Sequence, residues 1–278
     1  MTPSVADDRP QHAFTVDLEE WFHGIELPQD EWPDSSRLKI GLDRTLALLD
    51  KHGVRATFFV LGVIAERFPD VVAGLAAGGH EIGCHSYRHE FIYRQSPEEF
   101  RADLRRARDA IGDATGAAPR AYRAPYFSVR ADSLWALEVL AEEGFAYDSS
   151  IFPVHNDRYG IPDAPREPYD AVAGEHPLRE VPLTPIRILG TNVPFSGGAY
   201  LRILPWWAQS MLWRSAERRR MNVIAYIHPW ELDPDHPRID LRRRVAATHY
   251  ARLSLTERRL DRLLGRYRFG RLDALAGI

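Results

Sequence analysis

The stretch His80-Glu81-Ile82-Gly83-Cys84-His85-Ser86-Tyr87-Arg88-His89 decides how the rest of the chain is read. Its first five residues read as a short apolar strand that delivers His85 at its C-terminal end, and His89 follows four residues later. On a helix, residues i and i+4 share a face, so two imidazoles at this spacing can reach one metal ion. Imidazole suits zinc and its first-row neighbours, and a hydrolytic zinc has three protein ligands and one open position. An acidic third ligand can come from Asp17-Leu18-Glu19-Glu20, at the end of the first predicted strand. A closed structural zinc site would want cysteines, and Cys84 is the only one in the chain.

Outward from that strand, strand and helix signals alternate. Residues 13–16 read as a buried strand ending at Asp17. Ser35 or Ser36 caps a helix whose Leu38, Leu42, Leu46 and Leu49 keep a period near 3.6, and Gly53 stops it. A strand over 56–60, a helix over 64–77 broken at Pro69, and a helix from Pro97 to about residue 114 follow. Ala121-Tyr122 is a short strand before Arg123, and a helix over 131–143 stops at Gly144 ahead of Phe145-Ala146-Tyr147-Asp148. Residues 151–200 are irregular and rich in proline and glycine, with one strand near 180–183. Loops of this length usually carry function. Pro205 opens another helix, residues 223–227 form a strand ending at His228, and residues 241–264 are an arginine-rich amphipathic tail.

Alternating β and α elements imply a parallel sheet. Asp17, His85, Arg123, Asp148 and His228 all fall at strand C-termini, the end where α/β barrels build their sites. The expectation is one barrel domain over residues 13–278, a polar tail over 1–12, and a C-terminal extension from about residue 229. With 278 residues and a net charge of −3, the chain gives no electrostatic reason to expect nucleic acid or an anionic membrane surface. No stretch approaches the roughly 20 apolar residues of a transmembrane helix, and residues 1–12 lack the core of a secretory signal. A cytoplasmic protein, at most peripheral to the inner membrane, is expected.

With these residues in hand, the chain resembles the polysaccharide deacetylases of the NodB-homology type, carbohydrate esterase family 4. Its likeness is nearest to the subgroup tied to exosortase (PEP-CTERM) exopolysaccharide loci. The motifs that carry it are residues 15–23, His85-Ser86-Tyr87-Arg88-His89, Arg123-Ala124-Pro125-Tyr126-Phe127, Tyr147-Asp148-Ser149-Ser150 and Tyr226-Ile227-His228-Pro229-Trp230-Glu231. Residues 196–200 and 228–238 resemble subgroup signatures. The resemblance implies a distorted, incomplete (β/α) barrel and metal-dependent removal of an N-acetyl group from a sugar. It also implies a place in exopolysaccharide synthesis, in association with that machinery.

The first motif departs from the commoner family form, with Leu18 standing where a second aspartate is usual. Side chains alternate along an extended segment, so Asp17 and Glu19 share one side. The resemblance then makes Asp17 the general base, Glu19, His85 and His89 the metal ligands, and Arg123 the partner of Asp17; Glu20 stays an alternative ligand. Zinc is the default ion, with cobalt, nickel and iron(II) compatible with the same donors. His228 is expected to protonate the leaving amine, with Asp148 orienting its ring. Tyr126, through its backbone N–H, together with Tyr147, Trp230 and His23, is a candidate for oxyanion or substrate contact. His155, Asp157, Arg158 and Tyr159 read equally as a sugar pocket or as a loop network. Trp206, Trp207 and Trp213 read as core, Arg242-Arg243-Arg244 as a solvated helix face, and Cys84 as an inert buried thiol. Two rival functions are hydrolysis of a non-sugar amide and catalytically silent carbohydrate binding.

Overall fold

Strand β1 (His12–Leu18) is buried along its whole length and stands second in the main sheet. The structure, a computed structural model, describes residues 10–156 and 158–278; most of the tail expected over 1–12, and Asp157, lie outside the described residues. Ten further strands follow: β2 (Thr57–Val60), β3 (Glu81–Cys84), β4 (Ala121–Tyr122), β5 (Tyr147–Asp148), β6 (Tyr169–Val172), β7 (Leu178–Glu180), β8 (Ile186–Ile188), β9 (Thr191–Val193), β10 (Ile224–Ile227) and β11 (Phe269–Gly270). The main sheet runs β10-β1-β2-β3-β4-β5-β7-β6, with β11 added beside β1; every pairing is parallel except β6 with β7. It curls into an incomplete barrel whose end strands, β10 and β6, are not paired with each other. There the chain after β7 takes the place of strands: Ile224 N donates to Thr184 Oγ1 at 3.2 Å, and Gly197 bridges Tyr226.

The helices are α1 (Leu38–Lys51), α2 (Gly62–Arg67), α3 (Pro69–Ala77), α4 (Pro97–Thr115), α5 (Trp135–Glu142), α6 (Gly198–Ile203), α7 (Trp206–Arg218), α8 (Arg243–His249), α9 (Thr256–Leu264) and α10 (Asp273–Ala276). Local chemistry accounts for their ends. Ser96 and Glu99 form a capping box at the start of α4, and Gly116 ends it with φ 76°. Pro69 stands at the first turn of α3, where its missing N–H is harmless.

Strand alternation sorts the side chains into two layers. Ala13, Phe59, Ala121, Tyr147, Ile224 and Tyr226 point into the barrel and pack there together. Their neighbours Phe14, Val16, Phe58, Val60, Tyr122 and Ile227 join the core beneath the helices. Each such side chain removed from water contributes roughly 1.5–3 kcal/mol. The interior is crowded: a Cβ on Gly83 would sit 2.6 Å from the Phe59 ring. Outside it, α1 presses so closely on the Pro229 backbone that a Cβ on Gly41 would meet its carbonyl oxygen at 1.8 Å.

Three expectations are corrected. Residues 85–89 are not helical; Ser86 and His89 both have positive φ, 65° and 60°, so the two histidines converge through a tight loop. The stretch 151–200 holds β6, β7, the β8–β9 hairpin and α6, elements of three to six residues that are too short to leave a periodic signal. Of the three tryptophans read as core, only Trp213 is fully buried; Trp206 is half-buried and Trp207 is 69% exposed, because α7 buries a single face through Gln209, Leu212, Trp213 and Ala216. Cys84 is buried, with its thiol pushed up by that burial, and Arg242, Arg243 and Arg244 are solvated, as read from the sequence.

Candidate active site

The inward parity of the strands continues past their C-terminal ends and brings the polar residues together. Asp17 and Glu19 continue the inward series of β1, His85 that of β3, Arg123 that of β4 and His228 that of β10. Four of the five are buried, and His228 is half-buried, with 19% of its side chain exposed.

Donor atoms of Glu19, His85 and His89 lie within 4.8 Å of one another. His85 Nδ1 donates to the Arg123 carbonyl at 2.8 Å, which leaves the Nε2 lone pair for a ligand, the usual arrangement behind a metal-bound imidazole. Trp230 Nε1 donates to Glu19 Oε1 at 3.0 Å. Glu19 Oε2 is buried with no donor aligned on it, although His89 Nε2 is 2.6 Å away. Burial disfavours the Glu19 carboxylate, but His89, His228 and His85 outweigh it and pull the group far below the ordinary carboxylate range. His85 is pushed down to about 4, by burial first, so it is a neutral imidazole. A carboxylate and two imidazoles converging in a buried pocket are a donor set that fits a divalent first-row cation.

Glu20, the alternative ligand, faces elsewhere. Its carboxylate accepts from Ser36 Oγ and from the N–H groups of Arg37 and Leu38, both at 3.3 Å, and so caps α1.

Asp17 Oδ1 accepts from Arg123 Nη1 at 2.8 Å, and Arg123 is held from every side. Its Nη1 also reaches Thr15 Oγ1 at 2.7 Å, Nε and Nη2 reach Ser149 O and Oγ at 3.2 Å, and its guanidinium lies 4.2 Å from the centre of the Phe59 ring. His228 Nε2 lies 3.8 Å from both Asp17 Oδ2 and Glu19 Oε1. Burial works against its charged form, yet Glu19, Glu231 and Asp17 together raise it to about 9.

The residue that holds the His228 ring is not Asp148. Tyr147 points into the barrel, so Asp148 faces the opposite side of the sheet, paired in register with Glu180 and bonded to Ser150 Oγ at 2.5 Å. Glu231 does the holding: its Oε1 is 2.7 Å from His228 Nδ1 and accepts from His228 N at 3.1 Å. Its Oε2 accepts from Arg202 Nε at 2.6 Å. Arg202 is 1% exposed and spends its remaining N–H groups on the carbonyls of Thr248, His249 and Ala251. The motif His228-Pro229-Trp230-Glu231 carries a legible signal for this contact, a proline at the first position of a turn and a glutamate at the third. Arg202 carries none; only packing brings it in.

The proposed substrate contacts divide. Tyr147 is turned away, its hydroxyl donating to Glu81 Oε1 at 2.6 Å. Trp230 lies behind the site, stacked between His228 and His249 and bonded to Glu19. His23 is buried; its Nδ1 accepts from Glu20 N, its Nε2 has no partner, and burial together with His89 and His85 lowers it to about 3. Tyr126 has φ 56°, stacks on Phe91 and donates its hydroxyl to His23 O at 2.5 Å. His23, His89 and Tyr126, with Trp32, Arg88 and Phe91, line a groove of about 230 Å3 beside the histidine pair. From the long loop, His155 is exposed, Arg158 pairs with Glu26 at 2.5 Å, and Tyr159 bonds Tyr200 at 3.0 Å: a loop network.

Residues 34–145 match the polysaccharide deacetylase family model, and residues 149–277 match a domain of unknown function (DUF3473). A peptidoglycan-N-acetylglucosamine deacetylase of Bacillus cereus is 36% identical over 118 residues, 41% of this chain and 40% of that protein. A peptidoglycan deacetylase of Helicobacter pylori is 34% identical over 136 residues, 49% and 45% respectively. The chain thus spans less than half the length of these curated relatives. A Mycobacterium smegmatis crystal structure assigned as a polysaccharide deacetylase superposes with a TM-score of 0.65 at 22% identity, over 99% of this chain and 91% of that one, a likeness of fold.

Proposed function

Since the chain belongs to the polysaccharide deacetylase family of the NodB-homology type, we propose that it is a metal-dependent hydrolase removing N-acetyl groups from an amino sugar. The observation that carries this reading is the convergence of Glu19, His85 and His89 next to the Asp17–Arg123 pair and His228.

Glu19, His85 and His89 would hold a divalent cation, zinc by default, which would supply Lewis acidity for the acetyl carbonyl and the attacking water. Asp17 would take the proton from the attacking water. Its Oδ1 is committed to Arg123, so Oδ2, the oxygen facing His228, is free to act as base. The N–H of Tyr126 is our candidate donor to the oxyanion, a contact on the order of 3 kcal/mol in comparable sites. His228, charged at neutral pH, gives its Nε2 proton to the leaving amine while Glu231 holds Nδ1.

The sugar and its place in exopolysaccharide synthesis belong to the same proposal. They rest on the likeness of residues 196–200 and 228–238 to subgroup signatures, and association with the synthesis machinery rests on nothing further. In this structure the first signature is architectural: a Cβ on Gly197 would meet the Tyr226 ring at 2.3 Å, so the glycine lets the chain close on β10. The test is acetate release from N-acetylglucosamine oligosaccharides. Activity abolished by a chelator and restored by a divalent ion supports the reading. Ion-loaded protein that hydrolyses cyclic amides but not these sugars would move it to the non-sugar hydrolases, and inertness toward both to silent binding.

A further inference from the structure

We propose that the face formed by the β8–β9 hairpin, the end of α6 and the outer side of α7 docks the protein on an anionic lipid bilayer. This inference is independent of the catalytic reading, since it concerns binding alone.

Nine large hydrophobic side chains are exposed among the described residues, and five of them are Ile188, Leu189, Ile203, Trp207 and Met211. On α7, Trp207, Met211, Arg214 and Arg218 fall at i, i+4, i+7 and i+11 and share the exposed side, opposite Leu212, Trp213 and Ala216. The hairpin meets the end of that helix, where Arg219 Nη1 donates to Arg187 O at 3.1 Å. Its turn is Leu189-Gly190, with φ of 48° and 85°. Such turns favour Asn, Asp or Gly at both positions. Leu189 instead holds a left-handed conformation disfavoured for a bulky residue, and its side chain is fully exposed. No burial within the fold offsets that conformation.

Charge identifies the partner. Residues 186–220 contain six arginines, one glutamate, and no lysine or aspartate, in a chain whose net charge is −3. Arg202 is buried against Glu231, and Glu217 is bonded to His12 at 2.9 Å. Arg187, Arg214, Arg218, Arg219 and Arg220 are exposed. The overall charge of the chain conceals this local excess. Protruding apolar side chains that share no groove, a tryptophan among them, with arginines around them, suit the headgroup region of an anionic bilayer, which needs no matching shape. Arg202 adjoins Ile203 and holds Glu231, so α6 links this face to the His228 side of the site.

The experiment is co-sedimentation of the full chain with vesicles of phosphatidylcholine alone or mixed equally with phosphatidylglycerol. Binding to the mixed vesicles at least about tenfold tighter, and weakened by salt, is expected. Two variants, L189S/W207S/M211S and R187E/R214E/R218E, should each lose about tenfold or more while keeping the wild-type circular dichroism. Because the single native cysteine is buried, a fluorophore on Leu189→Cys reports that position alone, and its emission should shift to the blue only with the anionic vesicles. Equal binding to both vesicle types, binding to neither, or variants that bind like wild type would overturn the proposal. So would a wild-type dimer that the apolar variant dissociates, which would give the face to a second copy of the chain.

Discussion

The two sides of the candidate site are built differently. Asp17, Glu19, His85 and Arg123 stand at or just past the ends of β1, β3 and β4, and simple alternation aims them inward. His228 ends β10 by the same rule, but its working orientation depends on Glu231, on Arg202 from α6, and on three carbonyls from residues 248–251. The first arrangement is local and modular. The second is a buried ionic chain joining three segments, so damage to any one should reach the acid.

Removing the base tests the local side. Asp17→Asn should lower turnover by about a thousandfold, the scale of a lost proton acceptor, while metal content measured by emission spectroscopy stays at the wild-type level. Activity near wild type would show that the base is another residue. Arg202→Met tests the distributed side by leaving Glu231 buried with His228 alone. It should destabilise the fold by about 3–5 kcal/mol in urea unfolding, whereas truncating an exposed arginine should cost under about 1 kcal/mol.

Glu231→Gln sharpens the contrast without breaking the fold. It should lower kcat/KM by about 10–100-fold, the usual effect of a residue behind a working imidazole. An acid must carry its proton, so wild-type activity is lost as pH rises through the His228 value, at or below about 9. Glu231 is one of the charges raising that value, so the variant's alkaline limb should move to lower pH; an unmoved limb would remove Glu231 from the mechanism. The smallest effect concerns the pair that does not serve His228. Burial and then Asp148 raise Glu180 well above its ordinary range. The folded state therefore holds a proton the unfolded chain has released, and stability falls as pH rises above about 4.3, by up to about 1.4 kcal/mol per unit. Glu180→Gln should flatten that slope in urea midpoints measured across neutral pH, and leave acetate release unchanged.

How much could be read in advance follows from range. The histidine spacing, the strand ends and the Asp17/Glu19 parity are properties of neighbouring residues, and they led to the cluster now seen. Even so, the helix assumed for residues 85–89 is a loop with two positive φ values, because convergence on one point can be reached by more than one backbone path. Asp148 was misread for want of one observation, that Tyr147 takes the inward place on a two-residue strand. Once it does, alternation sends Asp148 to the other face.

The amino-acid order by itself determined the alternation of elements, the parallel barrel and the placing of the chemical residues at its C-terminal rim, since periodicity and strand polarity are local and repeat every two to four residues. The tertiary structure alone decided which carboxylate turns to the histidines and which caps α1, and what steadies His228. Those outcomes depend on contacts between residues as many as 211 positions apart, as between Trp230 and Glu19, and no local pattern encodes such a distance.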